Sequence, residues 1–458
     1  MPDGPCTMHR GHRTLQFVSL GGIAAALAFL VFIRLGWVAL SGRRSVAVVL
    51  VLVLFSNVFW WSRVREVIHR STAIPTKGLR LAAACLWNTH ALLVLLPLVL
   101  VGMKLRHTVD ALPVPILAWT IIWHLLLAGV GIAAVAVVGL RGAGWVLRAA
   151  RARAQAVSPA PAVEDTGGEL QRAGLSRREL LSAATAAAPL VITGGSLVAG
   201  AHQAGGFRVR KITMHVPGLP SRLEGLTITH ISDAHVGRFF RPEHLPRMVE
   251  EANRLKSDLV VVTGDMIDHS NDFLPAAVEA LAQLEAPYGR FTVIGNHDLF
   301  DDPIEVIRAL RTGAPRFLDD AMTVTDVGGE PIQIAGLFWS ASEPPRGRDP
   351  GLIERARQAM AGASRERFTI ALTHHPHAFD ALAHMGANLV LAGHTHGGQI
   401  MLTPPGWPVT FGAGSLMFRY IHGEYALGQA RLYVNSGVGN WFPVRVNAPA
   451  EIVQLRLV

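Results

Sequence analysis

Two histidines one residue apart, His394 and His396 in LVLAGHTHGGQI, sit between an apolar run and a pair of glycines. An extended backbone points neighbours i and i+2 to the same side, so the spacing delivers two imidazoles to one spot. That geometry suits a metal ion, although a His-x-His pair also arises by chance. Four further polar clusters lie upstream: SDAHVG with Asp233 and His235, GDMIDH with Asp265 and Asp268, GNHD with Asn296, His297 and Asp298, and THHPH with His374 and His375. Carboxylate, amide and imidazole together make sites suited to Mn, Fe or Zn. Each cluster alone is a weak signal, and their common position along the chain has to give them meaning.

The elements that must carry them are short, β-branched and apolar. Runs at 226–231, 259–263, 291–294, 368–373 and 389–392 read as buried strands, and helical periodicity appears near 242–256, 273–284 and 352–361. The pattern predicts an α/β sandwich from residue 207 onward. Each of the five strands ends on one of the five polar clusters, and in open α/β sheets ligands bind beyond the carboxyl ends of the strands. Glycines 264, 295, 393 and 397 beside the clusters read as turn formers, because no Walker-type spacing occurs.

In this order the clusters D-x-H, G-D-x-x-D, G-N-H-D, H and G-H-x-H resemble the calcineurin-like metallophosphoesterase superfamily. The resemblance covers roughly residues 207–458 and implies a four-layer β-sandwich flanked by helices. The Gly-Gly-Gln after His396, and VNSGVGNWFPVR with Pro443 and Arg445, look closest to a membrane-associated bacterial branch, more loosely similar to UDP-2,3-diacylglucosamine pyrophosphatases. Carried over by position, the family pattern makes Asp233, His235, Asp265 and His396 ligands of one divalent cation, and Asp265, Asn296, His374 and His394 ligands of a second. His375 is the alternative to His374. The same resemblance implies hydrolysis of a phosphoester or pyrophosphate by a metal-bridging hydroxide. His297 would contact the phosphoryl oxygen or protonate the leaving group, Asp298 would orient the His297 ring, and Asp268 would stand behind the ligands.

The first part of the chain differs in kind. Half of the 458 residues are apolar and the net charge is +9. Residues 1–202 hold 19 Lys and Arg against 7 Asp and Glu, whereas residues 203–458 hold 23 against 26. The basic residues lie between apolar runs and form no stripe on the second part, which argues against nucleic acid as a stable partner. With only Cys6 and Cys85, no disulfide framework or Cys-rich metal site can form. Runs at 15–40, 45–61, 81–103 and 115–140 are each near the roughly 20 residues that span a bilayer, and predict a transmembrane region of four helices over 1–141. Residues 142–179 read as a cytoplasmic linker. Residues 180–201 read as a fifth crossing or, after Arg177 and Arg178, as a twin-arginine-like signal with a cleavage site near Ala201. Basic loops then predict a multi-pass protein of the cytoplasmic membrane with its catalytic domain on the extracytoplasmic side. Asn88, His90 and His124 within these runs mark either a pathway or helix contacts. Trp407, Phe411, Met417 and Phe418 would rim a site for a lipid-linked substrate, and a non-catalytic membrane sensor or a transporter is the rival reading.

Overall fold

The computed structural model describes residues 42–70, 77–102 and 206–458, apart from 314, 340–349, 400, 402, 404–412, 417 and 442, with parts of 113–144 and 187–198. The chain divides into two units, Met1–Leu197 and Val198–Val458.

In the second unit, twelve strands form two six-stranded mixed sheets. The first runs β1 (Arg208–Met214), β12 (Glu451–Leu457), β2 (Thr227–Ile231), β3 (Leu259–Thr263), β4 (Arg290–Val293), β5 (Arg316–Phe317). The second runs β10 (Gly423–Leu427), β11 (Ala430–Val434), β9 (Leu389–Ala392), β8 (Thr369–Leu372), β7 (Glu330–Gly336), β6 (Ala321–Val327). Strands β2 to β5 are parallel, as are β7, β8, β9 and β11. Their carboxyl ends therefore open on one edge of each sheet.

Alternation along the strands builds the layers. Leu259 and Val261 of β3 pack between the sheets with Ile370 and Leu372 of β8 and Leu389 and Leu391 of β9. Val260 and Val262 face the other way, onto Met248, Val249 and Ala252 of helix α3 (Leu245–Arg254), Ala277, Ala280 and Leu281 of α4 (Leu274–Ala282), and Val306 and Leu310 of α5 (Pro303–Gly313). On the far side Ala371, Val390 and Ala392 meet Leu352, Ala356 and Ala359 of α6 (Pro350–Ala359) and Phe379 and Leu382 of α7 (Phe379–His384). A period-2 apolar pattern buried on both faces needs cover on both faces, and the result is the expected helix, sheet, sheet, helix stack.

In the first unit, α1 (Gly42–Arg70) and α2 (Lys77–Gly102) pack around Trp60, Val64, Ile68, Trp87, Trp123 and Leu127. Three indoles donate to polar partners on other segments: Trp61 to Asn88 Oδ1 at 2.8 Å, Trp119 to His90 Nε2 at 2.8 Å and Trp123 to Asn57 Oδ1 at 3.1 Å. Asn88 and His90 are thus contacts between segments, and His124 Nδ1 bonds to the Thr120 carbonyl at 2.7 Å on its own helix.

One expectation is corrected here. Among the described residues no helix is long and apolar enough to cross a membrane, so the all-α transmembrane region and its multi-pass topology lose their support. The helix α1 carries Arg43, Arg44, Arg63, Arg65, Glu66 and Arg70, and α2 carries Asn88, Thr89 and His90. The run at 15–40, nearly all of the linker at 142–179, and Arg177, Arg178 and Ala201 lie outside the described residues. Residues 187–195 are helical.

Candidate metal centre

Six loops meet at the carboxyl ends of β2, β3, β4, β8, β9 and β11. Asp233, His235, Asp265, His374 and His396 are buried, while Asn296, His297 and His394 are half-buried. Five of these side chains hang from backbone in the left-handed region, with φ of +53° at Asp233, +45° at His235, +53° at Asp265, +71° at His394 and +51° at His396. Such conformations cost on the order of 1 kcal/mol each and concentrate where geometry serves function. The neighbouring glycines are required by close approach. A Cβ on Gly295 would lie 2.1 Å from Asp265 Oδ1, and one on Gly393 would lie 2.2 Å from Asp233 Oδ2.

The side-chain atoms form two groups that share one oxygen. In the first, His396 Nε2 lies 3.2 Å from Asp233 Oδ1 and 2.9 Å from His235 Nε2, which is 3.5 Å from Asp265 Oδ2. In the second, His374 Nε2 lies 3.1 Å from the same Asp265 Oδ2, 3.2 Å from Asn296 Oδ1 and 3.1 Å from His394 Nδ1. His374 Nδ1 is 2.7 Å from the Thr263 carbonyl, an acceptor, so Nδ1 carries the proton and Nε2 presents a lone pair. Lone pairs of oxygen and nitrogen crowded at about 3 Å, with too few protons to pair them, fit a divalent cation in each group. Asp233–His235–His396 and Asp265–His374–His394 are both close enough to hold one.

The carboxylates draw positive charge to these atoms: burial opposes it, yet Asp233, Asp268 and Asp265 raise His235 to about 10 and Asp265 raises His374 to about 9, protons that a divalent cation would displace. Burial works to raise the Asp233 carboxyl, but the charge of His396 and hydrogen bonds from His235 and His396 hold it well below the usual carboxylate range. Burial likewise opposes ionisation of Asp265, and the charge of His374 outweighs it. For His396 burial dominates and lowers the imidazole to about 4, keeping it neutral as a ligand must be.

The structure brings together all seven residues expected to hold cations, and separates two pairs that sequence left open or misjudged. His374 points into the second group, whereas His375 turns its Nδ1 to the amide of His377 at 3.2 Å. Asp298 does not touch the His297 ring. Its Oδ2 accepts the amides of Asp265 at 2.8 Å and Gly295 at 2.9 Å, and its Oδ1 those of Met266 at 2.8 Å and Ile267 at 3.1 Å. Burial and the charge of Asp265 raise the Asp298 carboxyl to about 6 in spite of those amides. The ring of His297 is held by Asp268, with Nδ1 2.8 Å from its carbonyl and 3.1 Å from Oδ1. Both Asp298 oxygens are turned to these amides and away from the neighbouring ring.

One feature escaped the sequence. Trp339, after β7, has its ring centroid 5.4 Å from that of His374 and 5.1 Å from that of His394, and walls the second group. A lone Trp after a strand carries no spacing signal. Phe418, expected at an apolar rim, packs 5.4 Å from His394, while Trp407, Phe411 and Met417 lie outside the described residues.

Comparison with known proteins adds to this geometry. A family model described as calcineurin-like phosphoesterase matches residues 226–398. The uncharacterized metallophosphoesterase YkuE of Bacillus subtilis is 31% identical over 280 residues, which are 57% of this chain and 94% of that protein. An uncharacterized metallophosphoesterase of Campylobacter jejuni is 33% identical over 255 residues, 54% of this chain and 63% of that protein. A transmembrane protein with metallophosphoesterase domain from Danio rerio is 30% identical over 263 residues, 55% of this chain and 57% of that protein. The matched length is thus under two thirds of the last two.

Proposed function

This chain belongs to the calcineurin-like metallophosphoesterase family, and from that premise we propose that residues 207–458 hydrolyse a phosphoester or pyrophosphate with two divalent cations. Asp233, His235, Asp265 and His396 would hold one, and Asp265, Asn296, His374 and His394 the other. The observation that carries this reading is the oxygen common to both groups, Asp265 Oδ2, 3.5 Å from His235 Nε2 and 3.1 Å from His374 Nε2. Bound there, such cations neutralise phosphoryl oxygens and make a water acidic enough to attack phosphorus near neutral pH.

The chain's own residues supply the rest. His297 stands beside the first group, its ring centroid 4.4 Å from that of His235. With Nδ1 committed to Asp268, Nε2 is the atom left to contact a phosphoryl oxygen or to give a proton to the departing oxygen as the P–O bond breaks. Asp298, through four backbone amides, holds the loops that carry Asp265 and Gly295. We further propose that the substrate is presented at a bilayer, as a lipid-linked phosphoester would be. Leu54, Leu81, Leu86 and Leu92 of α1 and α2 are between 51% and 73% exposed, which suits an apolar surrounding.

The test replaces Asp265 by Asn and follows metal content together with turnover of a generic phosphodiester. A shared ligand predicts loss of at least one metal equivalent and a fall in kcat of roughly 100-fold or more, by analogy with the loss of a charged group that stabilises a transition state. Wild-type turnover with full metal content in Asp265→Asn would refute the reading.

A further inference from the structure

Arg445 is a fully buried side chain, 2% exposed, and among the described residues no carboxylate pairs with it. An uncompensated buried cation is expensive, so its donors must find other partners. They do. Nε donates to Asn440 Oδ1, Nη1 to the Ala448 carbonyl at 2.8 Å, and Nη2 to the carbonyls of Ser436 at 2.9 Å and Gly439 at 2.5 Å. Nη2 also lies 3.1 Å from His396 Nδ1. One planar guanidinium therefore ties both ends of the loop 436–448 together, beside the outer nitrogen of a candidate ligand.

That loop is pressed onto the other side of the same group. The amides of Val438 and Gly439 donate to the carbonyls of Ser232 and Asp233, each at 2.9 Å. The approach is so close that a Cβ on Gly439 would fall 1.7 Å from the Ala234 carbonyl oxygen. Asp233 and His396 thus lie between β9 on one side and a loop held shut by Arg445 on the other. His374, in the second group, finds its outer partner in a strand carbonyl, that of Thr263, and owes nothing to this loop.

We propose that Arg445 is a positioning residue for the Asp233–His235–His396 group, acting through the loop 436–448 that its carbonyl contacts hold against the backbone of Ser232 and Asp233. A guanidinium has no acceptor for the Nδ1 proton of a ligating His396, so its approach to that ring is packing and not a hydrogen bond. The inference rests on the two-cation reading above and adds that the two groups depend on different supports. Lysine keeps the charge but has a single nitrogen, which cannot reach acceptors spread around a plane. Arg445→Lys and Arg445→Met should therefore weaken one metal equivalent and spare the other. Loss of a residue that supports the ligands from behind weakens metal binding by roughly 10- to 100-fold.

The experiment titrates the full-length metal-free chain with Mn2+ alone by calorimetry, with metal analysis after dialysis and circular dichroism for folding. The core variant Leu281→Ala serves as a control for lost stability, since Leu281 is an apolar side chain of α4 buried against the first sheet and is not a candidate ligand. The expected result is two equivalents in wild type and Leu281→Ala, and in the Arg445 variants one equivalent at unchanged affinity with the other weaker by roughly 10- to 100-fold. Both equivalents retained at wild-type affinity would overturn the proposal, as would loss of both or failure of both variants to fold. A wild-type chain that takes up no Mn2+ would overturn the two-cation reading itself, a result distinct from either.

Discussion

Replacing Asp298 by Asn removes one charge and almost no volume, yet four backbone amides depend on that carboxylate, at 2.8, 2.9, 2.8 and 3.1 Å. An amide side chain has one oxygen where the carboxylate has two. Whichever way it turns, two of the four N–H groups face an NH2 donor. A hydrogen bond to a charged group contributes about 1.5–3 kcal/mol, so losing two costs about 3–6 kcal/mol. Burial and the charge of Asp265 already disfavour the ionised form, and relief of that penalty reduces the net to about 1–3 kcal/mol. For a unit of this size that corresponds to a fall in Tm of roughly 2–12 °C. Thermal unfolding of the metal-free chain followed by circular dichroism measures it. Asp268→Asn should behave in the opposite way, since the His297 ring keeps the Asp268 carbonyl at 2.8 Å and loses only the carboxylate at 3.1 Å: stability near wild type, kcat lower by roughly 10-fold. Asp298→Asn with unchanged stability and a selective loss of kcat would refute this reasoning and restore Asp298 as the partner of His297.

Two further outcomes follow from single contacts. His374→Ala should lose a metal equivalent while His375→Ala keeps both, because only the former aims a ring nitrogen at Asp265; metal analysis of the two variants distinguishes them. Glu451 is buried with Arg210 at 3.0 Å and His422 at 2.9 Å, and although burial opposes ionisation, His422 and Arg210 hold its carboxyl below its ordinary value of 4.5. A depressed carboxyl contributes stability that is complete above that ordinary value and is lost as pH falls below it. Denaturant unfolding of wild type should therefore weaken between about pH 5 and pH 3, and Glu451→Gln should flatten that dependence.

Strands such as β3, LVVVT, announce themselves because both faces are buried and every residue is apolar or β-branched. β1 and β12 do not. β1 is RVRKITM, polar and half-exposed, and becomes a strand through pairing with residues more than two hundred positions away, Arg208 opposite Glu451. Local periodicity carries no trace of such a partner. In the first unit apolar composition suggested crossings, and among the described residues no helix is long and apolar enough to make one.

Sequence by itself determined which residue types stand at the ends of which strands, because strand burial and turn chemistry are local and Asp265, Asn296, His394 and their companions follow directly on those strands. Only the tertiary structure decided how their side chains are shared out. Asp265 Oδ2 stands between two groups, Asp268 rather than Asp298 meets His297, and Arg445 reaches His396, since each of these depends on where loops from different strands point once two sheets have packed together.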